Sequence, residues 1–90
     1  MSRVGKKLQF LERISRHKAL FLLLLRSEDY ITSEELADKL AVTSRTIKSD
    51  IKSISENLEK YIPELSIEAR RSKGIRIVFE NEEIKKDTKV

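Results

Sequence analysis

The 90-residue chain contains no cysteine, one proline, one histidine and only two glycines. Without cysteine there is no disulfide framework, no thiolate nucleophile and no thiolate zinc site. A lone histidine, His17, cannot assemble a His-based metal cluster or a catalytic triad. His17 is therefore expected to be a surface or half-buried ring, and the chain is expected to be no enzyme and to carry neither cofactor nor metal. The longest apolar run, Ala19 to Leu25, spans seven residues. That is far short of the roughly 18 that a membrane span needs. It follows a basic segment (Arg3, Lys6, Lys7, Arg13, Arg16, Lys18), as in a secretory signal, but Glu12 interrupts that segment. Arg26-Ser27-Glu28 then stands where a small-residue cleavage site belongs. A cytoplasmic protein with no membrane partner is expected.

What is present is a balance of 39% hydrophobic and 38% charged residues, which fits a compact, helix-rich domain rather than a disordered tail. A chain this short forms one domain with a small core. The net charge of +4 points to an acidic partner, but the position of the charge matters more than its sum.

The apolar spacing from Leu8 to Ser27 predicts a first helix, with Phe10, Ile14, Phe21, Leu24 and Leu25 on one side and a possible break near Arg16-His17. At Ile31-Thr32-Ser33-Glu34-Glu35-Leu36, Thr32 and Glu35 have the spacing of a capping box, and Ile31 and Leu36 that of a hydrophobic staple. A short second helix starts there. Thr43 is placed to cap a third, with Val42 and Ile47 repeating the staple. Two capped starts this close leave room for about two helical turns and a tight turn, the spacing of a helix-turn-helix unit.

The third helix carries Ile47, Ile51, Ile54 and Leu58 in one narrow stripe until Pro63 stops it. The period then changes to two. Leu65, Ile67 and Ala69 alternate with Ser66, Glu68 and Arg70, Ile75, Ile77 and Phe79 alternate with Arg76, Val78 and Glu80, and Gly74 supplies a positive φ for the hairpin between them. The expected fold is mainly α with a small β-hairpin, a winged helix-turn-helix built as a three-helix bundle plus wing. It spans residues 1–80, and 81–90 read as a polar tail or the start of a linker.

With the apolar stripe turned inward, Arg45, Lys48, Ser49 and Lys52 face solvent. Their side chains suit guanine edges, other base edges and phosphates in a major groove. Acidic residues gather instead on the second helix as Glu34, Glu35 and Asp38. Asp50 lies beside the stripe and reads as a structural partner for a nearby basic group or helix end. Arg70, Arg71, Ser72 and Lys73 at the hairpin tip suit phosphate contact or insertion into a minor groove. If all six cations of the two clusters met phosphate, the logarithm of the binding constant would fall with log salt at a slope of up to about −5.

In the first helix, Leu20 and Leu23 fall away from the main apolar side. Either the core wraps around the helix and covers them, or they meet a second subunit or domain. The same leucines underlie a rival reading, a winged helix that binds protein partners. Membrane-surface attachment is disfavoured because the third helix's isoleucines are needed for the core. Single-strand RNA reading is disfavoured because the wing lacks stacking aromatics.

The stretch Glu35-Leu36-Ala37-Asp38-Lys39-Leu40-Ala41-Val42-Thr43-Ser44-Arg45-Thr46-Ile47-Lys48-Ser49-Asp50-Ile51 resembles the signature of bacterial winged helix-turn-helix transcription regulators. In that signature a Leu-Ala pair precedes a hydrophobic turn, a Ser/Thr cap, an Arg-Thr-Ile core and an Asp-Ile pair. DeoR-type, biotin-repressor-type, Mga-like and PRD-containing regulators share it. The long helix ahead of the unit and Lys73-Gly74-Ile75 in the wing look most like the Mga-like and PRD-containing group. One departure is Ala41, where many members carry Gly or Asn. The resemblance, over roughly Phe10 to Phe79, implies that Thr43 caps the recognition helix, about 44–60. Ser44, Arg45, Thr46, Lys48, Ser49 and Lys52 would then lie at the DNA, and the wing, 70–74, would touch the flanking backbone. The implied partners are double-stranded DNA and either a second copy, as a homodimer, or further domains of a longer parent chain.

Overall fold

The computed structural model describes residues 3–88. Helix α1 (Arg3–Lys7) leads into a 3₁₀ helix, Gln9–Arg13, and then α2 (Ser15–Arg26), α3 (Ser33–Leu40) and α4 (Ser44–Tyr61). Strands β1 (Leu65–Arg70) and β2 (Gly74–Phe79) follow, and α5 (Glu82–Thr88) ends the described chain. Helices α2, α3 and α4 enclose the core, and the antiparallel β1–β2 hairpin packs on α4 and α2, giving a winged helix-turn-helix. Leu20, Phe21, Leu36, Ile47, Ile54 and Leu58 lie at its centre, at most 2% exposed. Each such side chain contributes on the order of 1.5–3 kcal/mol by leaving water.

The first helix differs from its expected form. The break falls at Ile14, whose backbone is extended (φ −132°, ψ 112°) and whose carbonyl accepts from the amides of His17 and Lys18. Ile14 thus begins α2 instead of packing, and its side chain is exposed. A helical wheel drawn from Leu8 does not carry its phase across that break. The face that α2 buries is His17, Leu20, Phe21 and Leu24, spaced i, i+3, i+4 and i+7. Of the two alternatives for Leu20, the core covers it: it is fully buried, and Leu23 is half-buried against the core. Leu20 therefore offers nothing to a second subunit. The exposed leucine of this helix is Leu22.

The expected polar tail is also corrected, since Glu82–Thr88 is helical and buries Ile84 against α1 and β2. Asn81 Oδ1 accepts from the Ile84 amide at 2.9 Å, with Glu82 and Glu83 in the first turn and Lys85 and Lys86 in the last. These are the polar signals of a helix start and end. With a single buried apolar residue, the segment has no periodicity to reveal it.

In the hairpin, Ile67 pairs with Ile77, Ala69 with Ile75 and Glu68 with Arg76. Gly74 adopts φ 117°, as the turn requires. The wing is also tied to the α2–α3 loop, because Ile31 and Ile75 exchange both backbone hydrogen bonds, at 2.9 and 2.8 Å.

Candidate nucleic-acid interface

Two threonine caps orient the helix-turn-helix unit. Thr32 is extended, and its Oγ1 accepts from the Glu35 amide at 3.1 Å. Thr43 repeats the arrangement, its Oγ1 accepting from the Thr46 amide at 3.1 Å. The two threonine hydroxyls lie 3.0 Å apart, so Thr43 and Thr46 serve the helix start itself. Between the caps, Ala41 takes the left-handed conformation (φ 55°, ψ 44°). The Val42 amide bonds the Ala37 carbonyl at 3.0 Å, and the Ala41 amide reaches Asp38 at 3.4 Å. This is a Schellman ending, which stops α3 within one residue and reverses the chain into α4.

Those caps set the faces of α4. Ile47, Ile51, Ile54 and Leu58 are buried, while Arg45, Lys48, Ser49 and Lys52 are exposed on the other side and Ser44 and Thr46 are half-exposed. Arg45, Lys48 and Lys52 form no ion pair among the described residues. Arg70, Arg71, Ser72 and Lys73 are all exposed at the wing tip. A groove of about 590 Å³ runs between α4, the first turn of α3 and the wing tip. Lys48 and Lys52 line one wall and residues 69–75 the other, with Thr32, Ser33 and Glu34 at one end. The structure thus brings two of the α4 cations, Lys48 and Lys52, to the wing, whereas Arg45 and Ser49 lie on α4 outside this groove.

Two polar networks hold this surface in place. Asp50, on α4, is 5% exposed. Its Oδ1 lies 3.0 Å from both Arg16 Nη2 and His17 Nε2, and its Oδ2 accepts from Arg16 Nε. The expected structural role of Asp50 is what the structure shows, with both partners contributed by α2. His17 is buried, neither at the surface nor half-buried as expected, and as part of this network it docks α2 on α4. The hydrogen bonds from Arg16 hold the Asp50 carboxyl below the ordinary carboxylate range, helped by His17 and opposed by burial.

The second network lies at the base of the wing. Glu68 Oε1 accepts from the Tyr30 hydroxyl and from Arg76 Nε, the latter at 2.8 Å, and Oε2 accepts from Arg70 Nε at 3.3 Å. The Arg76 guanidinium lies 4.7 Å from the Tyr30 ring centre and Lys73 Nζ 5.7 Å from it. The donated hydrogen bonds, Tyr30's first, lower the Glu68 carboxyl to about 2. The same contact with Glu68 raises the Tyr30 phenol above its ordinary value. Sequence reasoning overlooked Arg16, Tyr30, Glu68 and Arg76. The Glu68–Arg76 pair was within reach, because Gly74 as the turn's last residue fixes the register that sets these two opposite one another. Nothing local marks Tyr30.

Among the described residues there is no group of His, Cys, Asp and Glu able to hold a metal ion, and no helix is long and apolar enough to cross a membrane. No curated protein sequence and no solved structure matches the chain. The helix-turn-helix domain family matches residues 16–76, from the Arg16 that grips Asp50 to the Arg76 that grips Glu68. With most of its length matched, including both capped helices and the hairpin turn of the wing, the chain belongs to the helix-turn-helix (HTH) domain family.

Proposed function

We propose that the chain is a sequence-specific duplex-DNA-binding domain of a bacterial transcription regulator, with α4 as the recognition helix in the major groove. Residues 70–74 of the wing lie on the flanking backbone. The observation that carries this reading is the exposed, unpaired set Arg45, Lys48 and Lys52 on α4, with the basic wing tip across the groove from Lys48 and Lys52. Lys and Arg at this end of a recognition helix meet guanine edges and phosphates, and hydroxyls such as those of Ser44 and Ser49 serve either. Lys73-Gly74-Ile75 and the helical region ahead of α3 support placing the chain with Mga-like and PRD-containing regulators. Acting on chromosomal DNA, such a regulator works in the cytoplasm.

The longest dimension of the domain, 33 Å, is close to one turn of duplex, the centre-to-centre spacing at which two copies can occupy successive half-sites. Single modules bury on the order of 600–1,000 Å² on DNA. A homodimer, or further domains in a longer parent chain, supplies the rest of the affinity. The rival reading, a protein-interaction module built on the first helix's leucines, loses much of its basis with Leu20 fully buried.

The test is fluorescence anisotropy of the domain with a labelled random-sequence duplex over a salt series, beside the triple variant Arg45→Ala, Lys48→Ala, Lys52→Ala. The wild type is expected to bind with a steep salt slope, and the variant to lose affinity and about 2.7 from that slope if all three cations meet phosphate. Equal binding by the variant would remove α4 from the interface.

A further inference from the structure

The wing carries Arg70, Arg71 and Lys73 as equals in sequence, and Arg76 lies a few residues on. In the structure they are not equal. We infer that Glu68 is a positioning residue that divides the wing in two: it takes Arg70 and Arg76 into a rigid frame with Tyr30 and leaves Arg71 and Lys73 as the wing's phosphate contacts. The inference rests on the DNA-binding reading above and refines it.

The geometry carries the division. Glu68 lies directly opposite Arg76 on the hairpin and two residues before Arg70, so the three side chains project from one face. Both carboxylate oxygens are occupied, Oε1 by the Tyr30 hydroxyl and Arg76 Nε, and Oε2 by Arg70 Nε. Tyr30 belongs to the loop between α2 and α3, so the carboxylate joins both strands to the helical body. The neighbouring Ile31–Ile75 backbone pair makes a second attachment. The Arg71 side chain, by contrast, forms no hydrogen bond or ion pair among the described residues, and the Lys73 side chain forms neither, lying over the Tyr30 ring with Nζ 5.7 Å from its centre.

Electrostatics leads to the same division. Glu68 cancels one of the two positive charges it is shared between, and Arg70 would have to give up its bond to that carboxylate to reach a phosphate. An unpaired cation releases a counterion from the duplex at no such cost. The wing's contribution to the salt slope is therefore two cations rather than three.

The experiment compares salt slopes for a labelled random-sequence duplex among wild type, Arg70→Ala, Arg71→Ala and Lys73→Ala, with circular dichroism confirming that each is folded. Arg71→Ala and Lys73→Ala are each expected to flatten the slope by about 0.9, and Arg70→Ala to leave it within about 0.3 of wild type. The same comparison in a Glu68→Gln background is expected to change the result for Arg70. With its carboxylate partner gone, Arg70 is released toward the phosphates, and Arg70→Ala now costs up to about 0.9 of slope. A slope loss for Arg70→Ala in wild type as large as that for Arg71→Ala overturns the inference, as does no effect of Arg70→Ala in the Glu68→Gln background. The DNA-binding reading fails differently, through no binding by the wild type at low salt. A DNA-free readout then decides the frame itself: carbon-13 titration of the Glu68 carboxyl should move upward in Arg70→Ala and in Tyr30→Phe. An unmoved titration in both overturns the frame.

Discussion

Ala41 holds a left-handed backbone conformation that costs a residue with a Cβ about 1–2 kcal/mol. It remains there because the turn between α3 and α4 requires it, and glycine meets the requirement without the clash. Ala41→Gly is expected to stabilise the domain by about 1 kcal/mol, less the extra entropy glycine brings to the unfolded chain, and to raise Tm by a few degrees in a thermal melt. Glu68 gives a pH-dependent counterpart. Its folded value of about 2 lies below its ordinary 4.5, so its contribution is fully present above pH 4.5 and is lost as pH falls toward 2. In denaturation series at pH 7, 4 and 2, wild type should exceed Glu68→Gln in stability at pH 7, with the gap shrinking at pH 4 and closing near pH 2. A gap that persists unchanged at pH 2 would mean that the carboxylate's charge is not what the network uses.

Among the elements, the wing depends on how closely its backbone approaches the helical body. A Cβ at Gly74 would lie 2.5 Å from the Ile31 carbonyl oxygen, and φ 117° is a conformation that side chains rarely adopt. Gly74→Ala is therefore expected to destabilise by at least about 2 kcal/mol. It should also speed amide exchange at Ile31 and Ile75, the pair that joins wing and loop. Unchanged exchange at these two amides would show that the attachment tolerates a side chain. The elements also show where sequence reading succeeds. The second and third helices were legible from Thr32, Thr43 and the isoleucine stripe, because caps and periodicity act within a few residues. The first helix was misread in phase, because one extended residue, Ile14, resets it, while the polar stretch Ser15 to Lys18 marked the break about two residues late, near Arg16-His17.

At the scale of the whole molecule, the matched segment 16–76 is enclosed by elements outside it, with α1 and α5 packed on one another and α5 also on β2. The main apolar anchor of α5 is Ile84, 7% exposed. Ile84→Ala should lower unfolding stability by about 2–3 kcal/mol, measured by denaturant titration, by removing buried methylenes and leaving a cavity. A change below about 0.5 kcal/mol would show that α5 is a surface appendage.

The sequence by itself determined the local features: the two threonine caps, the narrow apolar stripe of α4, the turn at Gly74 and the segregation of acids to α3 and cations to α4 and the wing. Short-range hydrogen bonding, steric limits on φ and the helical period act between near neighbours, so these features can be read from residues a few positions apart. Only the tertiary structure decided that Leu20 is core, that 82–88 is a docked helix, that Arg16 and His17 meet Asp50 across 33 or more residues, and that Arg70 differs from Arg71. Each of these depends on which distant surfaces come together when the chain packs, and composition and spacing do not encode such distances singly.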